Sequence, residues 1–163
     1  MAKSVHPVLF VCTGNPARSI MAEALLNALG GGRFQGHSAG TDPSGAVHPL
    51  ALATLAAGGY STTGLRGRQF DEFLHPDAPP LDFMITVGDA TVESLPALPR
   101  VAATAHWGVD DPAGVAGTEP EQRRAFQSAL VILRRRVQHL TALPLESVDK
   151  RALGRALHEI GLA

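Results

Sequence analysis

The sequence predicts a three-layer α/β fold, a four-stranded parallel sheet with helices on both faces. Three observations carry this. Residues 8–11 (Val-Leu-Phe-Val) and 81–87 (Leu-Asp-Phe-Met-Ile-Thr-Val) are β-prone, apolar runs too continuous for a strand with one wet face. Segments with helical spacing separate and follow these runs, and strands that alternate with helices pair in parallel through right-handed crossovers. The chain has 163 residues, enough for one domain over residues 1–163 and short for two.

Taken in order, the first strand (8–11) leads through a short polar loop into a helix over about 17–29. That helix is expected to place Met21, Ala24, Leu25 and Ala28 on its apolar side and Glu23 and Asn27 on the other. Three glycines at 30–32 stop it. A weak strand over 33–39 is interrupted by Gly36, and 41–45 has turn chemistry. His48-Pro49 opens an alanine- and leucine-rich helix that closes at Gly58-Gly59. A single helical turn is expected at 71–74, then the second buried strand at 81–87 and a weaker one at 101–107. Glu119-Pro120-Glu121 marks an acidic helix start, after which Phe126, Ala129, Leu130, Leu133, Val137 and Leu140 recur at helical spacing. A last helix covers 146–160.

Composition narrows the function classes. Fourteen basic against 15 acidic residues leave a net charge of -1, so nothing points to a nucleic-acid partner. One cysteine excludes an internal disulfide framework and fits a reducing cytoplasm. No stretch reaches the length of a membrane span, and the first residues lack a secretory signal pattern. The seven histidines show no metal-ligand spacing, so no metal is expected. No glycine-rich nucleotide motif occurs. Arg134-Arg135-Arg136 reads as the solvated face of a helix, and Trp107 as a buried residue at a strand end.

The chemistry concentrates in Cys12-Thr13-Gly14-Asn15-Pro16-Ala17-Arg18-Ser19. A cysteine at the carboxyl end of a buried strand faces the amides that a helix N-terminus leaves unpaired. Those donors, the helix dipole and a guanidinium form an anion site and favour a thiolate. Cys12 is then a nucleophile toward the phosphorus or arsenic of a bound oxyanion. Arg18 can clamp two oxygens with its planar fork, which lysine could not do. The Ser19 hydroxyl can donate to the sulfur. Gly14 and Asn15 tolerate the backbone angles of a loop wrapped around an anion.

These residues, with Met-Ala-Glu-Ala-Leu-Leu following, resemble the low-molecular-weight protein tyrosine phosphatase superfamily, and within it the arsenate reductases. Ser38-Ala39-Gly40-Thr41 and His106-Trp107-Gly108-Val109-Asp110-Asp111-Pro112-Ala113 agree with that likeness, which spans nearly the whole chain. It implies the low-molecular-weight phosphotyrosine phosphatase-like fold. It implies that Thr13, Gly14, Asn15, Ala17 and Arg18 bind the oxyanion, and that Asp111, directly before proline, is the general acid rather than Asp110. It also implies that Ser38 supports the loop by holding Asn15.

Two departures from the family pattern matter. Thioredoxin-served reductases carry two further cysteines where this chain has Gly88 and Leu95, so reduction here would need an external thiol: glutathione or mycothiol, with a small glutaredoxin-like redox partner. Pro16 removes one possible amide donor from the cradle and favours extended backbone at Asn15. The leading expectation is an arsenate reductase acting on a small oxyanion with no bound cofactor. The alternatives are a phosphatase acting on phosphotyrosine or a small phosphomonoester, and an oxyanion-binding module without turnover. Ala113-Gly114 after the Asp-Pro pair disfavours a phosphotyrosine substrate, whose ring would be stacked on aromatic residues there.

Overall fold

The computed structural model describes residues 5–12, 17–40, 47–78, 80–87, 101, 103–147 and 149–162. Its strands are β1 (His6–Cys12), β2 (Phe34–Gly40), β3 (Phe83–Thr86) and β4 (Ala103–His106). Its α-helices are α1 (Arg18–Leu29), α2 (Pro49–Ala57), α3 (Glu119–Thr141) and α4 (Lys150–Ile160). Every strand pairing is parallel, in the order β2-β1-β3-β4. The four-stranded parallel sheet flanked by helices is the architecture expected from the sequence. No helix among the described residues is long and apolar enough to cross a membrane.

The sheet has the two buried faces that continuous apolar strands require. Val8, Phe10 and Cys12 point into the larger apolar cluster, shared with all four α-helices. Leu9 and Val11 point into a smaller one with Ala39, Met84, Leu81 and the one-turn 3₁₀ helix Phe70–Phe73. Trp107 is a core residue, as expected. It is fully buried, its ring centroid lies 6.0 Å from that of Phe10, and its indole N–H donates to the Leu157 carbonyl at 2.9 Å.

The amphipathic reading of α1 is corrected. Glu23, assigned to the polar side, is buried, and Ala28, assigned to the apolar side, is exposed. The cause is placement: α1 lies against both β2 and α3, and every residue from Arg18 to Leu26 is buried. Gly36 makes that approach possible. A Cβ on it would stand 2.8 Å from the Glu23 carbonyl oxygen and 3.2 Å from the Glu23 Cα. Asn27 fastens the same contact by accepting the Gly36 N–H at 2.7 Å. The glycine that seems to weaken β2 in the sequence is what lets the helix pack on it.

Local chemistry sets the other boundaries. His48 Nδ1 accepts the Leu50 N–H at the start of α2, with Pro49 in the first turn. Thr118 and Glu121 form a capping box on α3. The last helix is shorter than the expected 146–160: a 3₁₀ turn (Leu145–Ser147) precedes it, and Asp149 caps α4 by accepting the Ala152 N–H at 2.8 Å. The solvated reading of the arginine triplet fails at Arg136, which is buried and donates to the Gly108 carbonyl at 3.0 Å. The turn expected at 41–45 lies outside the described residues.

Candidate active site

The chain leaves β1 toward β2 on one side, while β3 pairs with β1 on the other. The order of strands therefore reverses at β1, and open α/β sheets bind ligands beyond the carboxyl ends of their strands at such a point. Cys12 is the last residue of β1 and a free, fully buried thiol. Its Sγ lies 3.1 Å from the Ser19 Oγ, which comes from the first turn of α1. A hydroxyl at that distance can donate to a thiolate and stabilise its charge. Ala17 is the N-cap of α1 and is buried, and it supplies no side-chain acceptor to that end.

Arg18 is 3% exposed and reaches across the cleft. Its Nη1 donates to the Val109 carbonyl at 2.7 Å, and its Nη2 lies 3.8 Å from Asp111 Oδ2. Asp111 is 43% exposed and accepts the Ala113 N–H at 3.0 Å, capping the 3₁₀ turn Pro112–Gly114. Of the two neighbouring aspartates, Asp111 is the one set against the arginine. Cys12 with Ser19 and Arg18 with Asp111 thus form two contacting pairs, brought together where Arg18 and Ser19 adjoin at the start of α1. Thr13, Gly14, Asn15 and Pro16 lie outside the described residues, as do Gly88 and Leu95.

Ser38 belongs to β2, where its register partner is Phe10, two residues before Cys12. Its hydroxyl donates to Glu23 Oε1 at 2.5 Å, a charge-assisted length. Burial raises the Glu23 pKa, opposed by that hydrogen bond and by the charges of Arg68 and Arg66. On the opposite face of β2, His37 is buried edge-on to Phe73, and burial, with the Arg68 charge, lowers its pKa.

Sequence reading missed three contributors. Glu23 stands one turn after Ser19, a spacing that puts both on one helix face. Arg136 falls within the stripe Leu133, Val137, Leu140, so its burial was legible from position. The Val109 carbonyl is a backbone group and leaves no trace in side-chain patterns.

Residues 7–153 match the family described as low molecular weight phosphotyrosine protein phosphatase, and the chain belongs to it. Among its relatives is the arsenate reductase of Oceanobacillus iheyensis, 32% identical over 127 residues, which covers 78% of this chain and 87% of that protein. A solved structure described as an arsenate reductase in the phosphate binding state superposes with a TM-score of 0.68 at 26% identity, covering 84% of this chain and 97% of the other. The thioredoxin-dependent arsenate reductase of Corynebacterium glutamicum matches with a TM-score of 0.58 at 25% identity, over 85% of this chain and 64% of that one.

Proposed function

We propose that this protein is an arsenate reductase that works with a single thiol of its own and a second from outside. The observation that carries the reading is the 3.1 Å contact of the Cys12 sulfur with Ser19, beside the buried guanidinium of Arg18. Arg18 and the amides of Thr13, Gly14, Asn15 and Ala17 hold the arsenate oxygens. The Cys12 thiolate forms a bond to arsenic while Asp111 protonates the departing oxygen, which leaves as water. An external thiolate then attacks the Cys12 sulfur. The S–As electron pair goes to arsenic, which leaves as arsenite, and Cys12 remains in a mixed disulfide that a second thiol opens. Ser38 supports the loop by holding Asn15, its oxygen still able to accept while its hydroxyl proton goes to Glu23.

The single cysteine also supports a second reading, hydrolysis of a phosphomonoester, because Cys12, Arg18, Asp111 and water complete that cycle without a reductant. Against a phosphotyrosine substrate, Ala113 and Gly114 offer no ring to stack on. We assign the reaction to the cytoplasm, where thiols are kept reduced.

The test is one assay set on purified protein: arsenite formation with glutathione, with mycothiol (each with and without a glutaredoxin-type protein) and with thioredoxin, beside hydrolysis of an aryl phosphate. Arsenite production with a low-molecular-weight thiol is the expected result. Hydrolysis without arsenite overturns it in favour of the phosphatase. Oxyanion binding by calorimetry with neither activity leaves the binding module.

A further inference from the structure

Next to the Cys12 set, Arg68 is a partly buried cation that makes no ion pair among the described residues. Its Nε is shut off from solvent with no hydrogen-bond partner. Its charge acts on Glu23, which belongs to α1 on one face of β2, and on His37, which lies on the other face of that strand. The Arg68 backbone lies along the outer edge of that strand, where the Gly40 N–H donates to its carbonyl. Arg68 acts on the Glu23 carboxylate, which accepts the Ser38 hydroxyl, through its charge and not through an ion pair. Arg66, the other guanidinium acting on Glu23, is paired with Glu72 at 3.4 Å.

Arg68 is close to the nucleophile although it lies 56 positions further along the chain. The Gly40 N–H donates to the Arg68 carbonyl at 2.8 Å, Gly40 bridges in parallel to Gln69, and Gly40 is the register partner of Cys12. With neighbouring strands about 4.8 Å apart, the Arg68 backbone is about 10 Å from Cys12. A guanidinium half out of water and unpaired is matched best by a carboxylate, which it can hold bidentately.

We infer that Arg68 binds a carboxylate of the thiol cosubstrate and so selects an anionic thiol of the glutathione type over a neutral one. This rests on the reductase reading above. A tripeptide thiol whose sulfur reaches Cys12 carries its terminal carboxylates outward from the cleft, and the β2 edge is where an unpaired cation awaits one. The arsenate oxygens, held by the loop and Arg18, leave Arg68 to this second reactant.

Binding of S-methylglutathione, which cannot react, tests the inference by calorimetry without any turnover. Wild type is expected to bind it, Arg68→Ala to weaken binding about tenfold or more, and Arg68→Lys, which keeps the charge but not the fork, to fall between the two. Raising the salt concentration should weaken wild-type binding and leave the alanine variant unchanged. In arsenite formation, Arg68→Ala should raise KM for glutathione with kcat kept, and leave KM for 2-mercaptoethanol unaltered. No binding by wild type, equal binding by the alanine variant, or an equal KM change for both thiols overturns the inference. Arg68-dependent binding without arsenite formation would instead overturn the reductase reading and leave the subsite standing.

Discussion

On the α1 side of the cleft, Cys12, Arg18, Ser19, Glu23 and Ser38 are all buried, and Ser19 and Ser38 each meet a partner from within the group. On the β4 side, Asp111 is exposed at the start of a three-residue turn. What positions it is a pair of backbone carbonyls just upstream, Gly108 held by Arg136 and Val109 held by Arg18. The nucleophile is thus fixed by close packing, where a misplaced group leaves a buried polar atom unsatisfied. The segment that carries the acid is fixed by two tethers, and the Asp111 side chain, which accepts the Ala113 N–H and faces Arg18, is partly open to solvent. Substitutions on the first side should disturb stability as well as rate, and those on the second mainly rate.

The largest expected effect comes from Cys12→Ser, which should reduce turnover by at least about 10⁴-fold while calorimetry still detects oxyanion binding. A variant that kept its activity would refute the whole scheme. Arg18→Lys should cost roughly 10²–10³ in kcat/KM, because the ammonium loses both the fork for the oxyanion and the tether to Val109. Asp111→Asn should slow the reaction by about 10²-fold or more and shift stability by less than about 0.5 kcal/mol in urea unfolding. A larger loss of stability would erase the contrast between the two sides.

Gly36→Ala tests the packed side without touching a reactive group. Its Cβ would meet the Glu23 carbonyl at 2.8 Å, so destabilisation of about 1–3 kcal/mol is expected in denaturant unfolding. The smallest effects are in the pH dependence of stability. Because burial lowers the His37 pKa, the unfolded chain takes up that proton first as pH falls through 6.5, and stability is lost there. Glu23 has the opposite sign: its raised pKa means the folded protein binds the proton first, so acidification toward 4.5 relieves the burial of its charge. Thermal melting against pH should lose its downward limb in His37→Gln and its compensating gain in Glu23→Gln.

The sheet, its parallel sense and the position of Cys12 were legible because continuous apolar strands and glycine or proline punctuation are local signals. Ser19 and Arg18 were legible for the same reason: their spacing from Cys12 is fixed by one loop and one helical turn. The burial of Glu23 was not, because it depends on how closely β2 approaches, and that is decided by Gly36 thirteen positions later. The tethers of the Asp111 segment were hidden too, since each joins an arginine to a distant backbone carbonyl that no side-chain pattern encodes.

The Arg18–Val109 bond joins positions 91 apart. Translation at about 5–20 residues per second puts roughly 5–20 s between the synthesis of the two partners. During that interval the nascent chain carries its only thiol and the helix start beside it, but not the strand and turn that complete the cleft. Competence to react therefore arrives with the last third of the chain, after the hydrophobic run of β1 has had time to find its helix. A ribosome-bound fragment ending before position 109 would hold Cys12 beside an Arg18 that still lacks the Val109 carbonyl.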